Sequence, residues 1–263
     1  MSRVLLLGAG RMGGALVSGW MFGGSVSVET LMIRDPFPGA EAKEAVEQGA
    51  RLNPADVDLM RADTVVLAVK PQLWRDAAAA VEPWLAHDAV IISVVAGVGL
   101  QDLREAFGSR FVARVMPTIA VAVSQGTATV YSDDDGARDR AHLLFEGVAQ
   151  VVDVDDEGLM HAATAVSGSG PAYLYAFVEA LEAAGLQAGL SADAAVTLAR
   201  STITGAASLM SLSDASPAEL RRQVTSPGGT TQAALEVLMG EGGLQDLLDE
   251  AVAAAVRRSK ELG

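Results

Sequence analysis

The sequence predicts an α/β protein in two parts, an N-terminal doubly wound parallel sheet followed by an all-helical domain. Three observations lead there. Short apolar runs alternate with helical stretches through the first half, the pattern of βαβ units. A glycine cluster closes the first of those runs and opens the first helix. From Glu157 onward no strand pattern remains.

The elements follow in order. Residues 3–7, 31–34, 64–69, 90–95 and 111–116 read as strands, and 11–22, 40–48, 73–85 and 100–107 as the helices between them. Such strands are buried on both faces, so they run apolar without alternation. Residues 126–131 and 150–154 read as two more strands of the same sheet, flanking a helix over 135–147. Helices are then expected over 171–188, 191–212, 217–225, 230–239 and 243–261, with Ser191 and Ser216-Pro217 as starts. This divides the chain into a dinucleotide-binding type of domain, 1–155, and a helical domain, 156–263. Stretches 192–207 and 247–256 are apolar over more than one stripe and so bury more than one face. A domain of this size has little interior to offer them, which points to association with another subunit.

Composition excludes several functions. The 263 residues are half hydrophobic but only 5% aromatic, so the core must come from Val, Leu, Ile, Ala and Met. A net charge of -14 argues against nucleic acid as a partner. There is no cysteine, hence no disulfide and no thiolate nucleophile. The first apolar run is too short for a secretory segment, and no uncharged run reaches the ~20 residues of a membrane span. A cytoplasmic protein without a membrane partner is expected. His87, His142 and His161 lie far apart and read as structural, leaving no metal site and no Ser-His-Asp hydrolase.

Gly8-Ala9-Gly10-Arg11-Met12-Gly13 is the G-x-G-x-x-G pattern, directly after a strand and opening a helix. Gly8 permits the tight turn, Gly10 lets backbone approach a pyrophosphate, and Gly13 lets helix and strand pack closely. The helix N-terminus offers N–H groups to the anion. Arg34-Asp35 ends the second strand. An acid there suits the ribose hydroxyls of NAD, an arginine the 2′-phosphate of NADP. Arg34 comes first, and Asp35 before Pro36 is expected to turn away, so NADPH is favoured and NADH stays open. Ala68-Val69-Lys70-Pro71 ends the third long strand, at the edge where open sheets bind ligands. Lys70, one of three lysines, is placed to face the cofactor. The small residues Ala96 and Gly97 end the next strand, where backbone can approach a nicotinamide.

An oxidoreductase is the reading these features share. A β-hydroxyacid dehydrogenase needs a base for the hydroxyl proton. The helical half has only Lys260 and His161 to offer, neither inside a long helix. Reduction of a C=N bond asks less, because an iminium is already electrophilic. Ser226-Pro227-Gly228-Gly229-Thr230-Thr231 is a glycine loop at a helix start, suited to a small carboxylate. Ser167-Gly168-Ser169-Gly170-Pro171-Ala172-Tyr173 is a second such turn.

On these stretches, with 93–98, 114–117, 205–207 and 258–262, the chain resembles the pyrroline-5-carboxylate reductase family along nearly its whole length. The run Val224-Thr225-Ser226-Pro227-Gly228-Gly229-Thr230-Thr231 carries the most specific part of the likeness. The resemblance implies reduction of 1-pyrroline-5-carboxylate to L-proline with NAD(P)H. It places the substrate carboxylate on Ser226, Gly228, Gly229 and Thr230, and the ring nitrogen near Thr231. It implies a homodimer through the helical domain, with sites at the dimer interface, and larger rings of dimers occur in the family. One departure stands out. The family usually reads Arg-x-Met-Pro-Asn-Thr-Pro-Ala by the nicotinamide, and this chain has Thr118-Ile119-Ala120-Val121 after Pro117. A reductase of a related cyclic imino acid, or a non-catalytic NADPH-binding relative, is the alternative.

Overall fold

The computed structural model describes residues 3–261. Strands β1 (Val4–Leu7), β2 (Leu31–Arg34), β3 (Arg51–Leu52), β4 (Thr64–Leu67), β5 (Val90–Ser93), β6 (Val112–Pro117), β7 (Gly126–Tyr131) and β8 (Ala149–Asp153) form one sheet. Their order is β3-β2-β1-β4-β5-β6-β7-β8. The chain winds outward from β1 to β3, returns, and winds the other way from β4. The carboxyl ends of β1 and β4 therefore flank the switch point, where such sheets bind ligands.

The parallel sheet expected from the sequence holds for every neighbouring pair except β6 and β7, which run antiparallel. The reason is the length of the connection. Residues 118–125 are too few for a parallel crossover, which needs a dozen or more. The chain can only turn back. Strand β3 was not anticipated; two residues are too short to leave a pattern. The helix expected over 73–85 ends early. It is α3 (Trp74–Val81), followed by a 3-10 turn, Glu82–Trp84, at Pro83. Proline there removes a helix N–H donor.

Helices α1 (Arg11–Gly23), α2 (Ala40–Glu47) and α5 (Asp135–Phe145) cover one face of the sheet, and α3 with α4 (Leu100–Phe107) the other. Side chains along a strand alternate between these faces. Val4 and Leu6 join the first core, with Trp20, Ile92 and Phe145; Leu5 and Leu7 join the second, with Trp74, Ile91 and Phe107. All four residues of β1 are buried, which explains its unbroken apolar run. The buried Trp20 ring nitrogen donates to the Leu144 carbonyl at 3.0 Å, tying α1 to α5.

After β8 only helices follow. α6 (Leu159–Ala163) passes into a π-type turn, Thr164–Gly168, then come α7 (Gly170–Gln187), α8 (Ala192–Ser211), α9 (Pro217–Gln223), α10 (Thr230–Leu238) and α11 (Leu244–Glu261). Ser191 caps α8 through the Ala194 N–H, and Ser216 with Glu219 forms a full capping box on α9. The helix starts read from the sequence are thus realised by their side chains. The chain forms two compact units. The first runs through Gly168 and takes in the segment from Ala255; the second is Ser169–Ala254. Among the described residues no helix is long and apolar enough to cross a membrane.

Candidate active site

The fingerprint loop sits at the carboxyl edge of β1, and its glycines meet distinct demands. Gly8 has φ +92°, a conformation that other residues adopt at a cost, and its N–H donates to the Arg34 carbonyl at 2.9 Å. A Cβ on Gly13 would lie 2.0 Å from the Gly8 carbonyl oxygen, so helix α1 could not pack where it does. A Cβ on Gly10 would meet nothing within 4 Å. Packing within the chain therefore does not require glycine at position 10. The open space lies over the first turn of α1, where no side chain caps the helix and no acid sits. The Arg11 and Met12 N–H groups there lack helical acceptors. Free N–H groups and space for close approach together fit a pyrophosphate.

Around this loop the structure gathers the other residues expected to hold a cofactor. Ala68 donates its N–H to Leu7 at 2.8 Å, which brings β4 and its extension Val69, Lys70 and Pro71 alongside. Lys70 is exposed. Ala96 and Gly97 form a turn beyond β5, half-buried, with Gly97 at φ +81°. Arg34 ends β2 and forms an ion pair with Asp56 at 2.5 Å.

Two details differ from expectation. Asp35 does not turn away. Its carboxylate accepts the Ala9 N–H and the Phe37 N–H, each at 2.6 Å. Pro36 supplies no N–H, so the turn bends Asp35 back onto the fingerprint rather than outward. The Ala9 N–H is thereby engaged by the protein, leaving the donors of residues 10–12 for a ligand. The role of Asp56 was not readable, since nothing in sequence links it to Arg34.

The loop 226–231 lies in the second unit, before α10. Gly228 has φ +68°, and Gly229 donates its N–H to the Ser226 carbonyl at 3.0 Å. A Cβ on Gly229 would come within 2.5 Å of the Ser226 Oγ. Gly228 is required by the backbone of this turn, and a side chain at Gly229 would crowd Ser226. No side chain caps α10, and its first turn carries no acid. Ser226, Gly228 and Thr230 are exposed, Gly229 and Thr231 half-buried. One participant was missed: the Gly228 N–H donates to Gln232 Oε1 at 2.8 Å. A glutamine four residues on could have suggested it, because an exposed loop N–H recruits a nearby acceptor.

Residues 157–262 match the family described as pyrroline-5-carboxylate reductase dimerisation, and 3–97 that described as NADP oxidoreductase coenzyme F420-dependent. A pyrroline-5-carboxylate reductase of Pisum sativum is 37% identical over 97% of this chain and 94% of its own. The chain belongs to the pyrroline-5-carboxylate reductase family. The reductase structure from Coxiella burnetii has a TM-score of 0.91 at 30% identity, covering 100% of this chain and 98% of that one. The Plasmodium falciparum pyrroline carboxylate reductase, solved with NADP bound, gives 0.85 at 27% identity, with the same coverage. Neither a related imino acid nor a non-catalytic role is favoured by these relatives.

Within this reductase the departure at 118–121 has a structural account. Thr118 is buried, and its Oγ accepts the Thr127 N–H at 3.0 Å while its own N–H donates to the Thr127 carbonyl at 2.8 Å. An asparagine side chain would offer a carbonyl oxygen as acceptor for the same purpose. Threonine keeps that acceptor, so the turn into β7 stays closed. His142 pairs with Glu146 and Asp153, and His161 Nδ1 lies 2.9 Å from Ser259 Oγ.

Proposed function

We propose that this chain reduces 1-pyrroline-5-carboxylate to L-proline with NADPH, using residues 1–155 for the cofactor and 156–263 for substrate binding and dimerisation. The observation that carries the proposal is the 226–231 loop: a turn whose backbone requires Gly228, at an uncapped helix start, in a chain of this family. Such a start holds a small carboxylate.

NADPH supplies a hydride to the imine carbon, and one proton completes the amine. Gly8, Gly10, Arg11 and Met12 hold the pyrophosphate, with Ala9 keeping the loop closed. Arg34 meets the 2′-phosphate. Ala68, Val69, Lys70, Pro71, Ala96 and Gly97 line the nicotinamide end. Ser226, Gly228, Gly229 and Thr230 hold the carboxylate, Gly228 exchanging its Gln232 acceptor for the substrate's. The Thr231 hydroxyl has no partner among the described residues and hydrogen-bonds the ring nitrogen. Orientation does most of the work, since the reacting carbon and hydride must be held in near-attack geometry. The enzyme works in the cytoplasm, where reduced pyridine nucleotide is at hand, and its dimers assemble into rings. The breadth of exposed apolar side chains on α7, α8 and α10 supports that assembly.

The test is oxidation of NADPH, followed by its absorbance, with pyrroline-5-carboxylate and its six-membered analogue, NADH being run in parallel. Turnover is expected with the five-membered ring. Thr231→Ala should lower kcat by about tenfold to a hundredfold with the melting temperature unchanged. Unaltered kinetics in that variant would remove Thr231 from the role.

A further inference from the structure

Helix α4 begins without an N-cap of its own. Gly99, at the cap position, has no side chain to offer the first N–H groups. The acceptor comes instead from Glu157, whose Oε1 accepts the Leu100 N–H at 2.7 Å from 57 residues away. The same oxygen accepts from Arg114 Nη1 at 2.8 Å. Arg114 lies in the middle of the sheet, opposite Ser93 of β5 and Tyr131 of β7, and its side chain is only 7% exposed. One carboxylate oxygen thus ties a buried strand cation to a helix start. Charged acceptors at helix N-termini form the stronger class of hydrogen bond, and a buried arginine holds its partner in place.

What lies between these anchors is the turn at residues 94–99. At its other end the Val94 N–H donates to the Leu67 carbonyl at 3.0 Å, and the Val95 N–H to Ser93 Oγ at 3.3 Å. Ala96 and Gly97 are the half-buried middle of the turn. Val95 and Val98 anchor the turn in the core by their side chains, and Glu157 supplies the hydrogen-bonded support at its far end. Glu157 itself stands at the head of α6, one helical turn before His161, which reaches Ser259 of α11. An open pocket of about 340 Å³ lies on that side of the turn, with Gly97, Gly99, Asp102, Arg114, Glu157 and His161 among its lining residues.

We propose that Glu157 is a positioning residue for hydride transfer, fixing the Ala96–Gly97 turn against which the nicotinamide rests. The proposal rests on the reading that this turn lines the nicotinamide end. Removing Glu157 loosens the turn at one end, where Val98 and Leu100 stay in the core, and leaves the pyrophosphate loop at Gly8–Gly13 as it is. Binding should then survive while the ring is held less well, and a displacement of an ångström is enough to slow transfer.

The experiment is steady-state kinetics of E157A and E157Q with NADPH and pyrroline-5-carboxylate, repeated with NADPH deuterated at the transferred position. Expected for E157A is a fall in kcat of about tenfold with the KM for NADPH within about twofold of wild type, and a larger deuterium isotope effect. E157Q keeps an acceptor for Leu100 and Arg114, and should recover kcat to within about threefold of wild type. Rates are normalised to the folded fraction, since E157A strands a buried cation. A structural role alone would lower the folded fraction without changing the isotope effect on the folded enzyme, and that result overturns the proposal. So does an E157A enzyme with wild-type kcat and isotope effect. Failure of the underlying activity looks different: the wild-type chain itself would not oxidise NADPH with this imine.

Discussion

Gly10 and Gly13 stand three residues apart and answer to different constraints. A methyl on Gly13 collides with the Gly8 carbonyl, so the fold requires that glycine. A methyl on Gly10 meets only open space, and its backbone, at φ -74° and ψ -153°, is available to alanine. Only a ligand approaching the first turn of α1 would sense it. Gly10→Ala should therefore leave the melting temperature unchanged or raise stability by about 0.5 kcal/mol, through the unfolded chain. It should weaken NADPH by about tenfold, or ~1.4 kcal/mol. Gly13→Ala should lose stability and binding together. Thermal melting beside a fluorescence titration with NADPH separates the two, and a Gly10→Ala protein binding NADPH as wild type would mean the pyrophosphate lies elsewhere. Asp35 teaches the same lesson from the other side. It reads as a ribose ligand or as a bystander, yet it closes the loop by accepting the Ala9 N–H.

At the scale of elements, α5 is fastened to β8 by a histidine that titrates. His142 lies 3.0 Å from Glu146 on its own helix and 3.1 Å from Asp153 on β8. The hydrogen bond to Asp153 first, and that to Glu146 with the charges of both, raise the imidazole above its ordinary value near 6.5, against a smaller opposing effect of burial. A raised folded value means the stabilisation is complete below the unfolded value and fades as pH climbs through the folded one. His142→Ala should therefore cost roughly 0.5 kcal/mol more near pH 5.5 than near pH 9, as an exposed-to-half-buried ion pair does. Urea unfolding of both proteins at both pH values gives the difference, and equal costs would show that the pair stays neutral. His161 runs the opposite way, lowered first by burial and then by Arg114 and Lys260. Element placement was largely written in the sequence, because parallel strands and capped helices leave periodic and local marks. Asp134, Ser191 and Ser216 each cap the helix that follows them. What could not be read are links that skip across the chain: Asp56 to Arg34, Glu157 to Leu100 and Arg114, and the antiparallel turn into β7. Each depends on the finished sheet bringing distant residues together, and no local pattern encodes it.

The whole molecule is divided by where its apolar residues end up. The first unit buries much of its apolar content, in two cores on either side of the sheet. The second does not: α7 and α10 have no buried residue, and α8 buries only Ala195 and Ala199. Leu198 is 52% exposed and Leu209 67%. Eleven residues is close to three helical turns, so both leucines share one face of α8. Surface of this kind marks an interface rather than a solvated face, and residues 157–262 match a dimerisation family. Replacing both leucines with glutamate should convert the protein to a monomer by sedimentation. The melting temperature should fall, and it should no longer rise with protein concentration as it does for a dimer. All three tryptophans, Trp20, Trp74 and Trp84, lie in the first unit, so their fluorescence reports that unit alone. It should remain native, because its cores need no partner, and NADPH should still bind. Turnover should be lost, since the substrate loop belongs to the unit that has lost its cover. A double variant that still sediments as the wild type would place the subunit contact on another face of the helical half.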